Sequence, residues 1–188
     1  MAYFPFVPAL DRRIVHTGTY SSGVTTWTLP CSAVGMNAIV LSSDFGVQAG
    51  TMIVPTSATG TTVTASGDYS AGAVAIGRTF WMNAELSQVF RRDFNGNADL
   101  SSEITIRSIE TQHRDSGEYS IRNRLELRPD RTKNFVPPAG NAIDSVGKLR
   151  LWAPGRADKS RIFIESTSHK PVAIAGIEML VDVDPLPG

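Results

Sequence analysis

The chain has 188 residues, 41% of them hydrophobic, and its eighteen basic and eighteen acidic side chains cancel to a formal net charge of +0. That length and apolar content can bury a core as one large domain or two small ones. The charge balance excludes a protein that grips nucleic acid tightly through phosphates, because such binding grows with each phosphate neutralised.

Taken in order, Met1 to Pro8 reads as an extended arm, since Pro5 and Pro8 forbid a helix there. It is too proline-rich and too poor in leading positive charge for a secretory signal. Arg12 to Val15 predicts a short strand, followed by turn chemistry from Thr17 to Gly23. Val24 to Leu29, dense in β-branched and aromatic residues, predicts a strand that stops at Pro30. The single cysteine, Cys31, excludes a disulfide framework and multi-cysteine metal sites, and at the end of an apolar strand it reads as a buried, inert thiol. Asn37 to Leu41, Gly50 to Val54, Thr61 to Ala65 and Ala73 to Ile76 predict further short strands, with Pro55 to Gly60 as a loop. Gly77 is the expected joint. The sequence thus divides into an arm (1–10), a small Thr/Gly-rich β module (11–77) and a larger β-sandwich module (78–184), the two modules standing as separate domains or as one compound domain.

In the second module Arg78 to Leu86 predicts a strand with Phe80, Met82 and Ala84 on one face, extended toward Phe90. A polar loop, Arg91 to Asp99, turns at Asn95-Gly96. The stretch from Leu100 to Arg131 is the expected framework: Ile104 and Ile106 alternate with polar residues, His113 to Gly117 supplies a reversal, and Tyr119, Ile121, Leu125 and Leu127 resume the alternation. It predicts a long antiparallel hairpin whose other face carries six arginines and six acids in cross-strand ion pairs. Pro129 to Val146 reads as a long loop, which is functional, an arm for a neighbour, or mobile. Lys148 to Trp152 and Ser160 to Glu165 predict strands, the first ending in a turn at Ala153-Pro154-Gly155. A turn over Ser166 to Pro171 precedes a last strand, Val172 to Val183, with a bulge at Gly176. The expected fold class is all-β, with antiparallel sandwich or barrel-like sheets, long loops and an extended N-terminal arm.

Sites of chemistry are scarce. His16, His113 and His169 fall at predicted turns with no zinc or protease spacing, which reads as a surface distribution. No G-x-S-x-G elbow, P-loop or G-x-G-x-x-G occurs. Glu103, Glu110, Glu118 and Glu126 could supply paired carboxylates, but among arginines they read as an ion-paired face. Trp27, Trp81 and Trp152, with Tyr119, invite comparison with the aromatic platforms of sugar-binding modules; Trp27 and Trp81 read as packing residues in strands, which leaves Trp152, at a strand end, between packing and exposed contact. No catalytic, cofactor or metal residue is assigned. No run reaches the roughly 18–20 apolar residues of a membrane span, so membrane insertion is not expected.

A series of short matches, in order along residues 12–182, resembles the C-terminal region of the tail nozzle protein of short-tailed bacteriophages, also called tail tubular protein B. The matches are Gly18-Thr19-Tyr20, Thr25 to Pro30, Gln88 to Asp93, Ile104 to Arg107, Asp115 to Tyr119, Gly147 to Leu151, Gly155 to Glu165 and Pro171 to Glu178. Members of that family are several times longer and carry additional β-rich domains before this region. The resemblance implies a virion structural protein made in the bacterial host cytoplasm. It would form a six-fold homo-oligomeric ring around the DNA-ejection channel and meet other tail proteins, such as an adaptor, fibres or needle. Double-stranded DNA would pass transiently. A receptor- or carbohydrate-binding β-sandwich of a virion is the alternative from another class.

Overall fold

Alternating β-branched and polar residues are converted throughout into antiparallel sheet. The computed structural model of the protein describes residues 4–92, 95, 97–99, 102–139 and 142–185, and these are all-β apart from one three-residue 3-10 turn, Ala157–Lys159. Met1 to Tyr3, Asn95-Gly96 as a complete turn, Leu100 and the tail from Leu186 lie outside the described residues. The described chain forms two units: 4–80 with 142–143 and 167–171, and 81–139 with 144–166 and 172–185.

The first unit contains β1 (Asp11–Thr17), β2 (Thr19–Ser21), β3 (Val24–Thr28), β4 (Ala38–Leu41), β5 (Met52–Ile53), β6 (Ser57–Thr59), β7 (Thr62–Ser66) and β8 (Ala73–Arg78). They make two sheets, β1-β8-β4-β5 and β2-β3-β7-β6. Trp27, Ile39, Leu41, Val63 and Ile76 fill the core, since alternate residues of β3 and β7 point inward. The chain passes from one sheet to the other at Gly18, where a Cβ would lie 2.5 Å from Thr25 and 2.7 Å from the Trp27 indole nitrogen. One expectation changes: the segment read as a loop at Pro55 to Gly60 contains the edge strand β6. The described part of the N-terminal arm packs on its own unit. Phe6 is buried with Val40 and Ala75, and the Ala9 amide donates to the His169 carbonyl at 2.7 Å.

The second unit contains β9 (Met82–Glu85), β10 (Arg91–Arg92), β11 (Ala98–Asp99), β12 (Ser102–Ser116), β13 (Tyr119–Leu125), β14 (Arg131–Phe135), β15 (Asp144–Arg156), β16 (Ser160–Ser166) and β17 (Ile174–Pro185). β10 and β11 form a small hairpin inside the expected polar loop. The others form two sheets, β15-β12-β17 and β14-β13-β16-β9, closing on a shared core of Ile104, Ile106, Ile109, Tyr119, Ile121, Leu149, Leu151, Ile162 and Ile164.

The expected hairpin of 100–131 is corrected here. β12 and β13 lie in opposite sheets of this sandwich and do not pair; β12 takes β15 and β17 as partners, and β13 takes β14 and β16. Residues His113 to Ser116 extend β12, and Asp115 adopts a positive φ of 45° before the chain crosses over. Leu127 has a φ of 59° and is 99% exposed, so it leaves the inward alternation that Tyr119, Ile121 and Leu125 keep. The long loop read from Pro129 to Val146 contains β14 and the start of β15. β15 also runs straight through Ala153-Pro154-Gly155. Between Ile106 paired with Gly155 and Ser108 paired with Trp152, Ala153 and Pro154 together face Arg107, a bulge that accommodates a proline lacking its amide donor. In β17 the register shifts between Gly176 and Ile174, close to the predicted bulge.

Candidate functional site

Polar side chains gather in two kinds of place within the second unit. The first is buried. His113, on β12, points into the sandwich core, its ring 4.2 Å from that of Phe135. Its Nδ1 lies 2.9 Å from the Tyr119 hydroxyl on the opposite sheet, and its Nε2 lies 3.3 Å from the Asp144 carboxylate. The same hydroxyl lies 2.8 Å from Thr111 Oγ1. With Tyr119 donating to Nδ1, Nε2–H donating to Asp144 and Thr111 donating to Tyr119, every member is satisfied, which is what burial of such groups demands. Burial raises the Tyr119 hydroxyl above its ordinary pKa, against the opposing effect of the Thr111 hydrogen bond. Gly147 lies opposite His113 in the strand ladder, and a Cβ there would sit 2.5 Å from Nε2. His113, Thr111 and Tyr119 are buried while the Asp144 carboxylate is 21% exposed, and together they form a polar cross-link between the sheets.

The second is the outer faces. On β14-β13-β16-β9, Arg122 donates to both Glu165 oxygens, at 2.6 and 3.0 Å, and to Asp130 at 3.1 Å, while its guanidinium lies 4.8 Å from the centre of the Phe163 ring. Arg161 forks onto Glu85, with both bonds at 2.6 Å. These contacts raise the Arg122 and Arg161 pKa values and lower that of Glu85.

Residues directly opposite one another in a sheet share a face, so three rows can be read across the outer face of β15-β12-β17. They are Arg156, Thr105 and Asp182; Trp152, Ser108 and Leu180; and Arg150, Glu110 and Glu178. Small Ser108 is buried between Trp152 and Leu180, which are 56% and 52% exposed. Glu110 is held by Lys148 at 2.8 Å and more loosely by Arg150 at 3.5 Å, and the Lys148 hydrogen bond depresses its pKa. Glu178 accepts a 2.6 Å hydrogen bond from neutral Gln112.

The residues singled out in the sequence do not converge. Glu103, Glu110 and Glu126 each pair with a cation of their own, Arg156, Lys148 and Lys159. His16 is half-buried, its Nδ1 2.7 Å from the Thr17 carbonyl, and His169 lies 2.9 Å from the Gly50 carbonyl. His113 departs from the surface reading: it is buried, because Tyr119 and Asp144 supply the partners it needs. Cys31 is exposed where a buried thiol was expected, since β3 ends at Thr28 and Cys31 stands in the bend after Pro30. Trp27 is a core residue, whereas Trp81 is 60% exposed, because it precedes the edge strand β9 whose inward place Met82 takes. Among the described residues no group of three or more His, Cys, Asp or Glu is placed to hold a metal ion, and no helix is long and apolar enough to cross a membrane. No protein-family model matches the chain, and no curated protein matches it.

Proposed function

We propose that this chain is a structural component of a short phage tail, assembling as a six-fold ring around the channel through which DNA leaves. One observation in the structure carries the reading: among the described residues of the second unit, Arg122, Arg161, Lys148 and Arg156 are held side by side with Glu165, Glu85, Glu110 and Glu103 across the two outer faces. A surface of alternating, mutually compensated charge lets a polyanion pass without trapping it, since retention grows with uncompensated cations. The ordered resemblance along residues 12–182 supplies the particular assembly. No reaction, cofactor or metal is assigned, and the expected partners are sister copies, other tail proteins and transiently passing double-stranded DNA.

The exposed Trp81 and Trp152 favour a second reading, a receptor- or carbohydrate-binding module of a virion, because solvent-facing indoles can stack on sugar rings. Negative-stain imaging of the purified full chain separates the two. Closed rings support the nozzle reading. Monomers that bind glycans, and lose that binding on Trp152→Ala, support the other.

A further inference from the structure

The two flanks of the β15-β12-β17 sheet carry matching chemistry row by row. At one end stand Arg156, Trp152 and Arg150 on β15; at the other end of the same rows stand Asp182, Leu180 and Glu178 on β17. Cation faces acid, indole faces isobutyl, and cation faces acid, across a strand that separates them within one molecule. We propose that these flanks are the two halves of a single head-to-tail interface, and that the partner is a second copy of this chain. A copy placed beside the first so that the rows continue brings Glu178 to Arg150 and Leu180 to Trp152 of its neighbour, while Asp182 and Arg156 at the end of the contact are already paired within the chain, with Arg107 and with Glu103 and Asp158.

The middle of the surface is the least compensated internally. Arg150 shares Glu110 with a closer lysine, and among the described residues Glu178 meets no cation within ion-pair distance. Lys148 feels the charge of Glu178 but spends its hydrogen bond on Glu110, so Arg150 and Glu178 each keep room for a closer partner of opposite sign. Trp152 and Leu180 are more than half exposed on an otherwise charged face, where an interface gains most from removing apolar area from water. The contact is made by side chains. Arg131 reaches from β14 to donate to the Trp152 carbonyl at 3.4 Å, so that edge acceptor is already engaged. The two flanks differ, so the contact is heterologous and every copy keeps one half free for the next, which builds rings or open chains.

This inference gives the ring reading its interface, and a charge exchange tests it on the full chain by sedimentation velocity over a range of concentrations. Arg150→Glu leaves a copy with two acidic ends, and Glu178→Arg leaves one with two basic ends. Each substitution alone should weaken self-association by about tenfold or more, since like charges then meet across the contact. An equal mixture of the two variants should recover it, as should the R150E/E178R chain, and recovery also shows that both variants are folded. Rings that form as well with either single substitution overturn this interface and leave the ring reading to another surface. Pairs or open chains that obey the exchange but never close keep the interface and remove the ring. A wild-type chain that stays monomeric at every concentration overturns both.

Discussion

Tyr119 of one sheet meets His113 of the other, hydroxyl to Nδ1 at 2.9 Å, in the middle of a sandwich otherwise filled by isoleucine and leucine. Because the two residues belong to opposite layers, the bond fixes how the sheets face one another, a task that non-directional apolar contacts perform poorly. Tyr119→Phe keeps the ring and removes the hydroxyl that both His113 and Thr111 use. The expected loss is about 1–3 kcal/mol, the cost of leaving buried polar atoms without a partner. Urea unfolding measures it, and a midpoint equal to that of the wild type would show the cluster to be energetically idle.

The same hydroxyl contributes to the alkaline limb of stability, beside Lys148 and Lys159, whose pKa values the hydrogen bonds to Glu110 and Glu126 raise. Burial raises the Tyr119 pKa above its ordinary 10.0, so its contribution is complete below that value and lost as pH rises through the higher folded value. Carboxylates set the acid limb. Glu110 and Glu85 lie below their ordinary 4.5 because Lys148 and Arg161 hydrogen-bond them, and Asp158 lies below 3.8 because of Arg156. Their contribution is present above those values and disappears as pH falls through the depressed ones. Stability should therefore be flat between the two limbs. Y119F should shrink the alkaline loss and leave the acid limb as it was, whereas Glu110→Gln should shrink both, because Lys148 loses the hydrogen bond that raises its own pKa, as read from unfolding midpoints across pH.

Much of the strand pattern could be read from alternation. Tyr119, Ile121 and Leu125 face inward as their spacing demands, and Trp27 and Val63 do the same in the first unit. Alternation tells which face of a strand is buried but not which strand lies beside it. Asp115-Ser116-Gly117 has the composition of a hairpin turn, yet it carries the chain from one layer to the other. The strand β14, Arg-Thr-Lys-Asn-Phe, gives no apolar signal, because as a sheet edge it has little to bury until Phe135. Pro154 looked like a strand terminus because a bulge depends on the partner strand. The buried cluster was hidden for a similar reason, since His113 draws on Asp144, thirty-one residues away.

Two glycines of the three-stranded sheet should respond in opposite directions to alanine. At Gly147 a new Cβ would stand 2.5 Å from His113 Nε2 and 2.7 Å from Asp144 Oδ2, and the buried imidazole has nowhere to retreat. At Gly176 the nearest atom would be 3.9 Å away, an ordinary contact. Gly147→Ala should lose about 1–3 kcal/mol through overpacking. Gly176→Ala should be neutral or gain up to about 1 kcal/mol, by restricting the unfolded chain. Equal effects in thermal unfolding would contradict this placement of His113. The contrast also gives a physical reason for glycine at the head of the Gly147 to Leu151 segment.

The N-terminal segment gives the last prediction. Phe6 is buried against Val40 and Ala75, with Phe4, Leu10 and Met52 packed around it, and its ring lies 5.8 Å from that of His169. Gly50, at a φ of 85°, leaves room for this approach, because a Cβ there would come within 2.7 Å of the Phe6 ring. A segment seated in this way stabilises its own unit and is not free to reach a neighbour. Phe6→Ala should lower the stability of the first unit by about 3 kcal/mol through lost burial and the cavity left behind. That loss should appear in dilute, unassociated protein, since the pocket belongs to the same chain. Calorimetry at low concentration tests it. A loss seen only after assembly would assign the pocket for Phe6 to a sister copy.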